Sequence, residues 1–167
     1  MKEIEKKYLV KYLVKDIDKC EKVLIEQSYL NIEPDPIIRL RKWNDEYFLT
    51  YKNRANNTNK ELSIADEYEL PISIECYNNL SKKVEGNVIY KDRYLIPLNK
   101  KLVAEVDIYH GKLEGLRTVE VEFNNIQEFD DFVEPDWFGK DITNQKKYIN
   151  SQLSKINNID ELEESNG

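Results

Sequence analysis

The chain has 167 residues, 34% charged and 40% hydrophobic, and its 32 acidic and 25 basic residues give a formal net charge of −7. The length and composition predict one globular domain, and the acidity argues against duplex nucleic acid as its main partner. No run of about 18 apolar residues occurs, which excludes a membrane span. The charged first residues exclude a secretory signal. The two cysteines, Cys20 and Cys76, lie far apart, which excludes a disulfide framework or zinc site and predicts a cytoplasmic protein.

Alternation of polar and apolar residues predicts strands along most of the chain. They fall near residues 2–12, 29–33, 37–43, 46–54, 61–70, 88–96, 101–109 and 116–123. The connections between these segments are short, so we expect an α+β fold in which the strands are mostly antiparallel.

Helical features occur in four segments between and after the strands. These are residues 16–27, a segment that begins at Pro71, residues 125–133, and residues 143–155 with Thr143 as N-cap. Residues 54–60 are predicted to form a polar loop. We expect the domain to span residues 1–155 and to be followed by a partly disordered acidic tail, residues 156–167.

Like charges recur in pairs on the polar faces of the strands, because residues i and i+2 of a strand share a face. The acidic pairs are Glu3 with Glu5, Glu67 with Glu69, Glu105 with Asp107, and Glu120 with Glu122; the basic residues are Lys7, Arg39, Arg41, Lys52, Arg54, Lys91 and Arg93. A solvated sheet face would also carry charges, but it usually mixes their signs. Sorting them by sign costs stability unless groups of opposite charge lie between the pairs.

A curled sheet with these faces inward would enclose charges that need partners, since unpaired buried charges are costly. Guanidinium and ammonium groups from several strands suit phosphate oxygens. Carboxylates without histidine or cysteine suit a hard divalent cation such as Mg²⁺ or Mn²⁺. The pattern therefore predicts a metal-bound polyphosphate as the ligand.

The first residues, Glu3-Ile4-Glu5-Lys6-Lys7, resemble the ExExK signature of the CYTH superfamily, the triphosphate tunnel metalloenzymes. Later segments resemble its successive strands and its C-terminal basic element: I-R-L-R at 38–41, L-T-Y-K at 49–52, Y-K-D-R-Y at 90–94, A-E-V-D at 104–107, V-E-V-E-F at 119–123 and F-G-K-D-I-T at 138–143. The resemblance covers residues 1–155. It implies an eight-stranded antiparallel β-barrel, the triphosphate tunnel, with flanking helices.

Site residues follow from the resemblance position by position. It implies a phosphate clamp of Lys7, Arg39, Arg41, Lys52 and Arg93, with Arg54, Lys91 and Lys140 as further members. It implies a metal set for Mg²⁺ or Mn²⁺ that consists of Glu3, Glu5, Asp107, Glu120 and Glu122. Glu3, Glu5 and Lys7 are the expected catalytic residues, whereas Glu67, Glu69 and Glu105 are assigned no role.

The function implied is metal-dependent hydrolysis of the terminal phosphate of a triphosphate, with inorganic tripolyphosphate preferred over ATP or GTP. Three alternatives stay open: an adenylate cyclase that closes ATP on itself, a thiamine or nucleoside triphosphatase, and a module that binds polyphosphate without turnover. We expect Trp43 and Trp137 to pack or to line the tunnel rim. A closed barrel has no free edges, so a monomer and a homodimer are both compatible with the fold.

Overall fold

The computed structural model describes residues 2–164 of the chain. Its strands are β1 Lys2–Val10, β2 Glu21–Asn31, β3 Ile37–Trp43, β4 Glu46–Asn53, β5 Ser63–Pro71, β6 Glu85–Pro97, β7 Val103–Tyr109, β8 Arg117–Phe123 and β9 Phe138–Asp141. Its helices are α1 Ile74–Ser81, α2 Ile126–Asp130, α3 Asn150–Leu153 and α4 Asp160–Glu164, and short 3₁₀ turns lie at Ile17–Lys19, Gly111–Leu113 and Lys146–Tyr148.

Eight of these strands close into the predicted antiparallel barrel. The hydrogen-bonded order runs β5-β4-β3-β2-β6-β7-β8-β1, and β1 also pairs with β5, which joins the two ends of the sheet. Strand β1 reaches both neighbours because its first residues pair with β5 and residues 4–9 pair with β8. The short β9 adds to β1 beside these pairings. Side chains that alternate along each strand therefore point either into the barrel or away from it.

The predicted helix at residues 16–27 is wrong, because most of this segment belongs to strand β2. Its apolar residues have helical spacing, but Val23, Ile25 and Tyr29 are buried in alternation while Leu24 is 56% exposed. Residues 21–29 of β2 pair with β6 and residues 25–31 pair with β3, so the middle of the strand is hydrogen-bonded on both sides. Those distant partners outweigh the local preference for a helix.

The other helix predictions hold in part. Pro71 ends β5, and α1 begins three residues later, where the hydroxyl of Ser73 accepts a hydrogen bond from the Cys76 backbone N–H at 3.1 Å. Helix α2 lies within the predicted residues 125–133 and is capped by Asn125. Both caps satisfy backbone donors that a helix terminus leaves free.

Residues 143–155 do not form the single helix that the sequence predicts. They form a 3₁₀ turn and the four-residue α3. Thr143 does not cap a helix; its hydroxyl accepts a hydrogen bond from the Lys7 backbone N–H at 3.1 Å. The segment thus follows contacts with β1 and the barrel interior instead of its own helical periodicity.

Two apolar clusters stabilise the barrel. One lies on the outward face of β1, β7 and β8 and includes Tyr8, Val106, Val119, Val121 and Phe138. The other joins strand residues to the C-terminal segment, residues 142–164, through Tyr29, Tyr109, Ile142, Tyr148, Leu153 and Leu162. The second cluster fixes the C-terminal segment against the barrel.

Residues 156–164, part of the tail that the sequence predicts to be partly disordered, pack on the barrel. Ile156 and Ile159 pack on the second cluster, and Leu162 of α4 is 5% exposed. Residues 165–167 lie outside the described residues, and the division of the chain at residue 155 stays a prediction. Among residues 2–164, no helix has the length and apolar character needed to cross a membrane.

Candidate active site

The inward faces of the strands enclose a cavity of about 230 Å³. Its lining contains most of the predicted charges, namely Glu3, Glu5, Lys7, Arg39, Arg41, Lys52, Arg54, Arg93, Glu120 and Glu122, together with Glu67 and Glu105. Strand pairing places Glu5 of β1 opposite Glu122 of β8, and Lys7 opposite Glu120. The charged residues that the sequence predicts on the polar faces of separate strands therefore surround one cavity.

Lys52 lies among the carboxylates of the cavity. Its ammonium forms an ion pair with Glu3 and lies 3.4 Å from a Glu5 oxygen and 3.5 Å from a Glu67 oxygen. Burial by itself would lower the pKa of Lys52, but the attraction of Glu5 and Glu3 outweighs burial and raises it. Lys52 thus stays charged and serves as the counter-ion of this acidic group.

Lys7 connects β1 to the C-terminal segment. Its ammonium donates to the Tyr148 backbone carbonyl at 2.7 Å and lies 3.6 Å from a Glu120 oxygen. Burial lowers the pKa of Lys7, against the opposing attraction of Glu120. The pKa of Glu120 is lowered despite burial, because Lys7, Arg93 and Lys91 favour its ionised form. This pair is therefore an ion pair in the cavity wall.

Arg39 and Arg41 of β3 differ in how well their charges are neutralised. Arg39 lies 3.5 Å from a Glu69 oxygen and donates to the Thr50 hydroxyl at 3.2 Å. Arg41 is 9% exposed, and no ion pair or hydrogen bond of its side chain is found in the described part of the chain. The buried Nε of Arg41, like that of Arg39, has no hydrogen-bond partner. Burial, together with Arg39 and Arg93, lowers the pKa of Arg41 to about 10. A buried, unpaired guanidinium that faces a cavity is a ready site for an anion.

The carboxylates of Glu3, Glu5 and Glu122 in the cavity repel one another. Burial and then Glu3 raise the pKa of Glu5 to about 7, and burial followed by Glu3 and Glu105 raises that of Glu122 to about 7. The pKa of Glu3 is raised by burial and by Glu67, against the pull of Lys52. These oxygens would be better satisfied by an additional cation.

Hard oxygen donors on adjacent strands fit a divalent metal by their chemistry. As the side chains lie, however, no three of the His, Cys, Asp and Glu residues between positions 2 and 164 are arranged to hold a metal ion. The ammonium of Lys52 occupies the position of a cation between Glu3, Glu5 and Glu67. Loading a metal therefore requires these carboxylates to exchange part of their contact with Lys52.

Asp107 and Lys91 lie outside the cavity lining, in the fully buried interior. One Asp107 oxygen accepts from Lys91 Nζ at 2.8 Å and from Arg93 Nη2 at 2.9 Å, and the other accepts from Arg93 Nε at 2.7 Å. Both the Asp107 and Lys91 side chains are 0% exposed. Both oxygens of Asp107 are thus engaged by protein cations, unlike those of the other members of the predicted metal set.

One predicted site residue near the C-terminal segment does not line the cavity, and one residue that was not predicted does. Lys140 is exposed on β9 and does not line the cavity, whereas Lys146 does. A sequence signal for Lys146 was its place two residues before the buried Tyr148, the spacing that puts two residues on one side of an extended chain. Neutral lining residues such as Thr50, Asn144 and Asn150 gave no charge signal by which they could be found.

Comparisons with known proteins agree with this geometry. The profile described as the CYTH domain matches residues 1–158. The chain is 34% identical over 155 residues to an inorganic triphosphatase of Nitrosomonas europaea, covering 92% of this chain and 97% of the relative. It is 35% identical over 159 residues to an inorganic triphosphatase of Acetivibrio thermocellus, with 92% and 94% covered.

Solved structures also match the barrel. The crystal structure of the inorganic triphosphatase NE1496 is 33% identical, has a TM-score of 0.65 and covers 91% of this chain and 93% of that chain. A protein from Hippeastrum, described as a putative adenylyl cyclase with a dominant triphosphatase activity, has a TM-score of 0.60 at 12% identity, covering 77% of this chain and 82% of that chain. At that identity the second likeness concerns the fold alone.

Proposed function

This chain belongs to the CYTH domain family, and from that premise we propose that it is a metal-dependent enzyme that hydrolyses the terminal phosphate of inorganic tripolyphosphate. The observation that carries the proposal is the buried guanidinium of Arg41, which faces the cavity with no ion pair or hydrogen bond to any residue that the structure describes. An anion with several charges would satisfy Arg41 and its basic neighbours together. The two bacterial relatives named inorganic triphosphatases support the same substrate class.

The basic side of the cavity binds the polyphosphate. Arg41 and Arg39 have N–H groups available, and Lys146 extends this surface from the C-terminal segment. Lys7, Lys52, Arg54 and Arg93 add charge from β1, β4 and β6, although each of them also contacts a carboxylate. These cations neutralise the phosphates and hold the terminal phosphoryl group in line for attack.

The acidic side holds the metal. Glu3, Glu5, Glu120 and Glu122 would bind Mg²⁺ or Mn²⁺, and Asp107 is left out because its oxygens are already bound by Lys91 and Arg93. When bound, the metal offsets the phosphoryl charge and lowers the pKa of a bound water. Glu5 would be the carboxylate nearest to such a water and would accept its proton.

The cytoplasm is the compartment that we infer for the enzyme. Cys20 and Cys76 are both free thiols. Free cysteines, one of them exposed, are typical of a reducing compartment.

The first experiment compares phosphate release from tripolyphosphate and ATP with Mg²⁺, Mn²⁺ or EDTA, together with an assay for cyclic AMP. We expect metal-dependent release that favours tripolyphosphate. Cyclic AMP and pyrophosphate from ATP would instead indicate a cyclase. Tight binding of tripolyphosphate without turnover of either compound would reject the enzyme and leave a binding module.

The substitution Glu5→Gln tests the acidic side of the site. It should lower kcat for tripolyphosphate by about 100-fold or more, because it removes a metal oxygen and the proposed base, while circular dichroism should show the same fold as the wild type at the assay temperature. Glu75→Gln, an exposed position on α1, is the matched control and should leave kcat unchanged. Unchanged hydrolysis in Glu5→Gln would remove Glu5 from the mechanism.

A further inference from the structure

Trp43 lies at the end of β3 in the lining of the cavity, next to two guanidinium groups. The Cζ atoms of Arg41 and Arg93 each lie 5.8 Å from the centre of its ring. Trp43 is half-buried and pairs with Ile25 of β2. One aromatic ring therefore contacts two of the cations that face the cavity.

The three arginines of this region have different partners. Arg93 is held by Asp107 through two nitrogens and contacts Glu105 at 2.5 Å through the third. Arg39 lies 3.5 Å from Glu69. For Arg41, no ion pair or hydrogen bond of the side chain is found among residues 2–164, and the Trp43 ring is its one ring contact there. Arg39 and Arg93 both repel its charge, while Tyr29 and Glu69 attract it without forming an ion pair.

A carboxylate and an aromatic ring stabilise a guanidinium in different ways. A carboxylate accepts hydrogen bonds from the guanidinium N–H groups and neutralises the guanidinium charge, so fewer donors and less charge are left for a ligand. The face of an indole attracts the cation through its quadrupole and occupies no N–H group. A ring partner therefore holds an arginine in place while its hydrogen-bond donors and its charge stay available.

We propose that Trp43 is a positioning residue that holds the Arg41 guanidinium in the cavity wall, against the repulsion of Arg39 and Arg93, so that Arg41 can bind a phosphate group of an inorganic polyphosphate. This inference rests on the proposed function, whose site and substrate class it uses. Trp43 itself forms no bond to the phosphate. Its contribution is to ground-state and transition-state binding alike, so it affects KM more than kcat.

Two substitutions separate the aromatic face from simple filling of space. Trp43→Phe keeps a ring, and Trp43→Leu keeps an apolar side chain without one. We expect Trp43→Leu to raise KM for tripolyphosphate about 10-fold with little change in kcat, and Trp43→Phe to restore most of the affinity. Trp137→Phe, in the outer apolar cluster, is the control and should leave KM unchanged. Equal KM values for the Leu and Phe variants would overturn the inference.

A binding measurement without metal or turnover tests the same point in a protein that keeps Trp43. The chain has two tryptophans, so Trp137→Phe leaves Trp43 as the single tryptophan fluorophore. In EDTA, tripolyphosphate should change the Trp43 emission in a saturable way, because the phosphate that binds Arg41 brings negative charge close to the indole ring. Calorimetry that records binding without any change in emission would contradict the role of Trp43 and leave the proposed function intact. A wild-type protein that neither binds nor hydrolyses tripolyphosphate would overturn both.

Discussion

Arg41 carries a buried positive charge that no acidic side chain within residues 2–164 neutralises by direct contact. Burying such a charge is unfavourable, and natural proteins tolerate it mainly where a ligand supplies the partner. If Arg41 binds an anion as we propose, it lowers the stability of the empty barrel and stabilises the loaded one. Its two roles can be separated by experiment.

Arg41→Met should stabilise the ligand-free protein while it weakens the binding of tripolyphosphate. Removal of the unpaired charge is expected to raise the free energy of unfolding by about 1 kcal/mol, which corresponds to roughly 2–4 °C in Tm for a chain of this size. The increase in Tm on addition of tripolyphosphate should be lost. Thermal unfolding with and without the ligand measures both effects. Arg117→Met, at an exposed position of β8, is the control and should change neither; a lower Tm for Arg41→Met would contradict this account.

Asp107 illustrates the opposite case, a buried charge whose partners are all protein groups. Asp107→Asn leaves the buried Lys91 without its counter-charge and leaves Arg93 with Glu105 alone, so it should lower the free energy of unfolding by about 3–5 kcal/mol in urea denaturation. The affinity for Mn²⁺ by calorimetry, measured well below the unfolding transition, should change little. Weaker Mn²⁺ binding with unchanged stability would return Asp107 to the metal set.

At the scale of elements, the pairing of β1 with β8 brings carboxylates of like charge together. Glu5 lies opposite Glu122, and burial and neighbouring glutamates raise the pKa of both to about 7. In the unfolded chain the same groups titrate near 4.5. The folded, metal-free protein therefore binds more protons than the unfolded chain between about pH 4.5 and 7, so its stability falls as the pH rises through this window.

The decrease of stability with rising pH leads to a prediction for Tm and for metal binding. In EDTA, the Tm of the wild type should fall between pH 5 and 7.5 more steeply than the Tm of Glu5→Gln, which lacks one of the titrating groups. The affinity for Mg²⁺ should rise over the same interval, because protons must leave before the metal binds. Identical pH profiles of Tm for the two proteins would show that Glu5 does not titrate in this range.

At the scale of the whole molecule, the C-terminal segment links the end of the chain to the cavity. It contributes Lys146 and Asn150 to the lining, and its apolar side chains pack on the barrel through Tyr148, Leu153 and Leu162. The backbone carbonyl of Tyr148 also receives the ammonium of Lys7. Loosening this segment should therefore affect substrate binding as well as stability.

Leu153→Ala and Leu102→Ala compare the two apolar clusters. Both leucines are nearly fully buried, so each substitution should cost about 2–5 kcal/mol of stability. Only Leu153→Ala should also raise KM for tripolyphosphate, since Leu102 belongs to the outer cluster. Urea denaturation and steady-state kinetics at a temperature where both variants are folded make the comparison. An equal increase in KM for both would mean that general destabilisation, and not the C-terminal segment, affects the site.

The sequence alone determined that the barrel interior is charged and which strands supply the charges. Alternation along a strand is a local property, so each charged residue could be assigned to the polar face of its own strand before any pairing was known. This holds for Glu3, Glu5, Arg39, Arg41 and Lys52, which all line the cavity. The order of motifs along the chain added the family and the closed barrel. Most of strand β2 could not be assigned from local pattern, because its apolar residues have helical spacing and the pairing with β3 and β6 that makes it a strand is not local.

Only the tertiary structure decided which charges are neutralised and which stay free. Lys91 and Arg41 have the same alternation on their strands, yet Lys91 is bound by Asp107 while Arg41 contacts the ring of Trp43. The strength of an ion pair depends on the distance between its charges and on their burial, and both are set by the register between strands that are far apart in the sequence. The place of Lys146 in the cavity, like the isolation of Arg41, follows from that packing.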